Sequence, residues 1–277
     1  MTIARLQRAL DTELGHFVKH SRPSRRSPAM TGRVPLAKEN CQLRVAVLNP
    51  EQIETYTQAV AGLLEAQVKP IQQAAKTATT FDAEVAAACA GHDLVIFGEP
   101  GQSWFKRRLL GSPACQAIEL SPTSLLVARR PRWPLKKILL IIRSEETNDA
   151  AINWAIRLAR PGGAEVTVLP VVPPLLPVYN REVRVQQALA MLLATDTVLS
   201  RQMWQVIRRL GDEEIEGSLR LRQGTPIRQI RTELAEEEYD LIVVTAEPED
   251  WWVRRLLGEL VGPLLDWADR PVLIAKR

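Results

Sequence analysis

Cysteine is scarce in this chain, with three in 277 residues, and none of the three (Cys41, Cys89, Cys115) falls in a CxxC or Cys/His ligand spacing. An odd, unclustered set argues against a disulfide framework or a thiolate metal site. It suits reduced thiols packed as small core residues. Histidine is equally sparse. His16 and His20 stand one helical turn apart, but no third ligand accompanies them, so no metal is expected. No apolar run reaches the ~20 residues of a membrane span, and no secretory apolar region follows Met1. There is no paired-carboxylate, nucleophile–base or SGGxDS-type pyrophosphatase pattern either, so no catalytic residue is assigned and an enzyme is not expected. Together these absences predict a soluble, cytoplasmic protein without a metal centre.

What is present is a globular composition, 46% hydrophobic and 25% charged, long enough for about two domains. The net charge of +4 is unevenly spread: residues 1–40 carry +5 and the remainder −1. A body at −1 lacks the clustered positive charge that phosphate neutralisation requires, so nucleic-acid binding is not expected. In the arm, Ile3, Leu6, Leu10, Leu14 and Phe17 recur at helical spacing, and "SRPSRRSPAMTGRVP" follows as a basic tether. The amphipathic stretch suits a helix docked on a neighbour, a membrane-surface helix or a targeting segment. Asp11 and Glu13 argue against a transit peptide.

From residue 138 the pattern alternates strand and helix. "KKILLIIRS" and "AEVTVLPVV" are short buried strands. "DAAINWAIRLARPGG" is an amphipathic helix ended by Pro161 and Gly162, and a long helical stretch runs to "RRLG". "EGSLRLRQG" alternates as a strand, and Thr225-Pro226 opens a helix as N-cap and first helical residue, running to Glu238. "DLIVVTA" and "PVLIAKR" close the chain as strands. Strands separated by helices of this length predict a parallel, doubly wound α/β sheet.

The first half repeats this ending. "DLVIFG" at Asp93 and "DLIVVT" at Asp240 are 147 residues apart, and the same offset runs ungapped to Arg130 and Arg277. Along it Trp104 meets Trp251, "RRLLG" meets "RRLLG", and Ala128 meets Ala275. Such an offset indicates two copies of one unit. The expected organisation is an arm and tether over 1–40, a trimmed unit over 41–130, a linker over 131–137 and a complete unit over 138–277. In the first unit, "VKPIQQAAK" falls by the offset on "EGSLRLRQG", so the first unit is expected to lack its second strand and helix.

Between the repeated strands lies "GEPGQSWFKRRLLGS". Glycines permit positive φ and let backbone N–H groups approach phosphate, and Gly111-Ser112-Pro113 has the form of a helix start, where an anion is favoured. The same residues also satisfy ordinary turn and cap grammar. Lys106, Arg107 and Arg108 fit phosphate screening or a solvated helix face. Trp104, Trp251 and Trp252 fit a cover over the loops or a partner-facing patch.

Here the chain resembles the universal stress protein family, whose nucleotide loop has the form G-x2-G-x9-G-(S/T) after the fourth strand of a five-stranded unit. Gly98, Gly101, Gly111 and Ser112 match it position for position, and the resemblance covers residues 42–277 in two copies. It implies two Rossmann-like, adenine nucleotide α hydrolase-like units and ATP or another adenine nucleotide in the first unit. It further implies a regulatory role in the stress response exerted through an unidentified protein partner. In the second copy the same positions read Thr245, Pro248, Gly258 and Glu259. Proline donates no N–H, and Glu259 sets a carboxylate where phosphate would sit. The family's ribose-binding aspartate after the first strand is replaced by Arg143 in the second copy and by Leu48 or Asn49 in the first. The second copy therefore reads as a degenerate site. The alternative is a nucleotide-free, partner-binding scaffold. Family units pair through their last strands, so "SLLVARR" and "PVLIAKR" are expected side by side and antiparallel as an intrachain pseudo-dimer, with further homo-oligomerisation left open.

Overall fold

The computed structural model describes residues 43–48, 53–71, 78–98, 122–143, 148–172, 189–190, 192–246 and 260–276. Ten strands and six helices, with further helical residues at 189–190 and 192–194, order them. The first part runs β1 (Arg44–Leu48), α1 (Glu54–Leu63), β2 (Gln67–Ile71), α2 (Ala78–Gly91), β3 (Leu94–Gly98) and β4 (Ser124–Ala128). The second runs β5 (Lys137–Ile142), α3 (Asp149–Gly162), β6 (Glu165–Val172), α4 (Val198–Asp212), β7 (Gly217–Leu219), β8 (Arg222–Gln223), α5 (Pro226–Glu236), β9 (Leu241–Thr245), α6 (Val261–Trp267) and β10 (Val272–Ala275).

The strands join in one sheet in the order β2-β1-β3-β4-β10-β9-β5-β6-β7, with β8 continuing the edge beside β6. Every pairing is parallel except one: β4 and β10 run antiparallel, with Leu126 opposite Leu273. Both faces of the sheet are covered. Residues such as Val45, Leu126, Leu140 and Leu273 face a cluster with α1, α3 and α4, while Phe97, Val127, Leu139 and Val244 face α2, α5 and α6. Central strands such as β3, "LVIFG", are therefore buried along their whole length, which is why they read as continuous apolar runs rather than alternating ones.

The antiparallel seam is reinforced across its two sides. Ser124 on β4 accepts a hydrogen bond from the Trp154 indole N–H on α3 (2.8 Å) and another from the Lys276 backbone N–H beyond β10 (3.1 Å). Arg129, buried just past β4, donates to the carbonyls of Leu265 (2.7 Å) and Ala268 (2.5 Å) at the end of α6. A cation there answers both the orphan carbonyls and the negative end of the helix dipole. Helices α1 and α3 also pack against each other over the seam.

The 147-residue offset has structural counterparts. Asp93 accepts from the Arg44 backbone N–H at the start of β1 (2.9 Å), and Asp240 accepts from the Lys136 and Lys137 N–H groups at the start of β5 (2.8 and 2.9 Å). Thr123 donates to the His92 carbonyl, and Arg270, 147 residues later, donates to the Tyr239 carbonyl at the matching place.

Four expectations are corrected. β2 pairs directly with β1, Val68 opposite Val45, and so takes the second place in its half rather than the third. What that half lacks, among the described residues, is a counterpart of α4 and of the β7–β8 edge. Only three residues separate α1 from β2, and a strand in third place would leave one edge of β1 without a ladder. Pro161 lies inside α3 rather than ending it; the last helical residue is Gly162, as expected, and Gly163 caps it in a left-handed conformation (φ 63°). The stretch before "RRLG" is not one helix: it is interrupted over 195–197, where Thr197 caps α4 through the Ser200 N–H. Thr225 and Pro226 do stand at the start of α5, although the Thr225 side chain makes no cap bond, and α5 ends at Glu236 rather than Glu238.

Candidate functional site

A doubly wound sheet places its ligand crevice where successive crossovers leave in opposite directions, outside the carboxyl ends of the strands. This sheet has two such points. In the first half the chain leaves β1 toward β2 and leaves β3 toward β4, so the crevice opens at the ends of β1 and β3. Leu48 pairs with Phe97, and Gly98 is the next and last residue of β3, buried and paired with Ala128. Gly98, the first residue of the glycine pattern, therefore sits at this crevice. Asn49 follows β1 on the neighbouring strand. Asn49, Gly101, Gly111 and Ser112 lie outside the described residues, as do Lys106, Arg107, Arg108 and Trp104.

In the second half the switch point falls between β5 and β9. Thr245 ends β9 and Arg143 directly follows β5. The structure brings these two together through a residue the sequence reading did not single out, Asn148. Its carboxamide oxygen accepts from the Arg143 backbone N–H (3.1 Å) and the Thr245 hydroxyl (3.4 Å). Its NH2 group donates to the Arg143 carbonyl (2.9 Å) and to Gln202 on α4 (3.4 Å). Asn148 is the residue before α3, yet its side chain makes no cap bond to that helix, because its hydrogen-bonding capacity is committed across the crevice. It is buried, at 3% exposure, so the bridge is shielded from water. An Asn immediately before "DAAINWA" was visible as a helix-start signal. Its cross-crevice role depends on strand order and was not visible. Pro248, Gly258, Glu259, Trp251 and Trp252 lie outside the described residues.

Among the described residues no group of His, Cys, Asp and Glu is placed to hold a metal ion, and no helix is long and apolar enough to cross a membrane. Cys89 is a buried free thiol on α2.

A mostly parallel α/β sheet with crevices at two switch points defines the class: a Rossmann-like, doubly wound protein. A family model described as the universal stress protein family matches residues 134–276. The chain belongs to the universal stress protein family. Among solved structures, a universal stress protein from Archaeoglobus fulgidus DSM 4304 is similar at 18% identity and TM-score 0.50, covering 82% of this chain and 77% of that one. A protein of unknown function from Pseudomonas aeruginosa PAO1 is similar at 14% identity and TM-score 0.56, over 85% of this chain and 92% of that one. A universal stress protein from Pseudomonas aeruginosa UCBPP-PA14 aligns at 16% identity and TM-score 0.50, over 85% and 82%. At these identities the likeness is one of fold. No curated protein matches the sequence.

Proposed function

We propose that this chain is a tandem universal stress protein, two family units folded as an intrachain pseudo-dimer, acting as a non-catalytic regulatory protein. Its first unit binds an adenine nucleotide, ATP in the leading case, and transmits that state to a protein partner in the cytoplasm. The carrying observation is the position of Gly98. It ends β3 beside the β1–β3 switch point, and the G-x2-G-x9-G-S pattern starts from it. Glycines there would let backbone N–H groups reach phosphate oxygens, and Ser112-Pro113 would offer a helix start to the same anion.

The second unit is read as ligand-free. Asn148 joins Arg143 and Thr245 across its switch point. The sequence further on supplies Pro248, which lacks an N–H, and Glu259, which brings a competing negative charge. The test is equilibrium binding of labelled ATP to the full chain, beside a Gly111→Glu variant. Saturable binding by the natural chain and its loss in the variant are expected. No saturable binding at millimolar nucleotide would overturn the nucleotide reading in favour of a nucleotide-free scaffold, the reading that the Asn148 bridge favours for the second unit alone.

A further inference from the structure

At the opposite end of the second half-sheet from the switch point lies a polar cavity of about 410 Å³. Its floor is the amino end of β5, β6 and β7, and its rim is the chain leaving α5. Cross-strand neighbours Lys137 and Glu165 lie on the floor, and two residues further along β6 Thr167 sits beside Ser218. Their hydroxyls are 3.1 Å apart. Arg220, Glu237 and Tyr239 complete the lining.

A fully buried carboxylate holds one wall in place. Glu233 on α5 has no solvent exposure, and it accepts from the Tyr239 hydroxyl (2.7 Å) and the Arg222 Nε (2.8 Å), with the Arg220 Nε at 3.2 Å. Burial first, and then the bond to Glu233, push the Tyr239 phenol well above its ordinary range, so it stays a proton donor. A buried charge is tolerated only when it is paired and hydrogen-bonded, and this one is gripped from three sides. Arg220 is thereby fixed independently of whatever else it binds.

At the mouth, Arg220 and Lys137 converge on a second carboxylate. Glu237 takes the Arg220 Nη1 at 2.9 Å and the Lys137 Nζ at 3.4 Å. Unlike Glu233, it lies just past the end of α5 and its side chain is 37% exposed. It is a tethered anion over two cations that a free carboxylate could replace without unpairing Arg220. Lys137 reaches Glu237 rather than its cross-strand neighbour. Among the described residues the Glu165 carboxylate has no ion-pair or hydrogen-bond partner. The lining thus offers Lys137 and Arg220 paired with Glu237 at the mouth, and the negative Glu165 beside two hydroxyls on the floor, balanced in total when both carboxylates are counted. A simple anion would meet Glu165, and a simple cation would meet Lys137 and Arg220.

We propose that this cavity binds a free α-amino acid as its zwitterion. The ligand carboxylate displaces Glu237 from Lys137 and Arg220, and the ammonium group donates to Glu165 and to the lone pairs of Thr167 and Ser218. Glu237 is the built-in competitor that the ligand expels.

The experiment is titration calorimetry of the full chain with each proteinogenic L-amino acid, followed by the N-acetyl and carboxamide derivatives of the best binder. Saturable binding below millimolar is expected, weakened about tenfold in either derivative, since a charge-assisted contact is lost in each. Glu165→Gln should weaken binding by about tenfold and Glu237→Gln should strengthen it severalfold, by removing the competitor. Thermal melting of both variants checks that they fold. Should either fail to fold, the two derivatives still decide the matter with the natural chain. No saturable binding by any amino acid, equal binding of a derivative, or binding unchanged in both folded variants would overturn the proposal.

Discussion

Replacing Ser124 with alanine removes one oxygen from the centre of the molecule and tests whether the two halves are joined by specific polar contacts. That oxygen accepts from the Trp154 indole (2.8 Å) and from the Lys276 backbone (3.1 Å), so Ser124→Ala strands two donors on two different elements. A buried donor left without a partner costs about 1–3 kcal/mol. Trp154 is only 7% exposed and pays most of that, whereas the half-buried Lys276 N–H can turn to water. The expected loss is therefore about 1–3 kcal/mol, or a fall in Tm of roughly 2–12 °C for a chain of this size. Urea denaturation followed by tryptophan fluorescence and by circular dichroism should show both signals shifting together, since β4 and α3 belong to opposite sides of the seam. A double-mutant cycle with Trp154→Phe should return a coupling of about 1 kcal/mol. A loss below about 0.5 kcal/mol, within the range of an ordinary surface substitution, would refute the reasoning, as would early unfolding of one half alone.

Arg129→Met should cost about 3 kcal/mol, because charge-assisted bonds to two carbonyls disappear while those carbonyls stay covered. Hydrogen exchange in α6 should accelerate selectively, and unchanged α6 protection would contradict the capping role. Acid should also act on the α5–β7 region. Hydrogen bonding from Arg222 holds Glu236 below its ordinary value of 4.5, and hydrogen bonding from Arg220 does the same for Glu237. A depressed folded-state pKa gives stability that is complete above about pH 4.5 and lost as pH falls through the folded values. The denaturation midpoint should therefore drop with acid below that point, less steeply in a Glu236→Gln/Glu237→Gln double variant; equal slopes would argue against these ion pairs.

The seam was legible before any coordinates. The family resemblance implied that "SLLVARR" and "PVLIAKR" would pair antiparallel, and Leu126 does lie opposite Leu273. The place of β2 was not legible, because an ungapped offset aligns what is present and cannot say on which side of it a deletion falls. Periodicity put Arg220 and Arg222 on one face of "EGSLRLRQG", and Glu233 stands between Ile230 and Leu234 on the buried stripe of α5. Those two patterns held the Glu233 cluster in outline, but which strand face meets which helix is a matter of topology. Asn148 was obscured in a similar way: its helix-start signal suited a cap, and the structure uses the side chain to bridge two strand ends instead.

The central claim is that one half of the molecule binds nucleotide and the other does not, and stoichiometry tests it most directly. Titration of the intact chain with ATP should saturate at one nucleotide per chain. Gly101→Pro should abolish binding by removing a backbone donor from the first loop. Glu259→Ser alone should leave the count at one, since Asn148 still ties Arg143 to Thr245 across the second crevice. Two nucleotides per natural chain, or saturable binding that survives Gly101→Pro, would contradict the account.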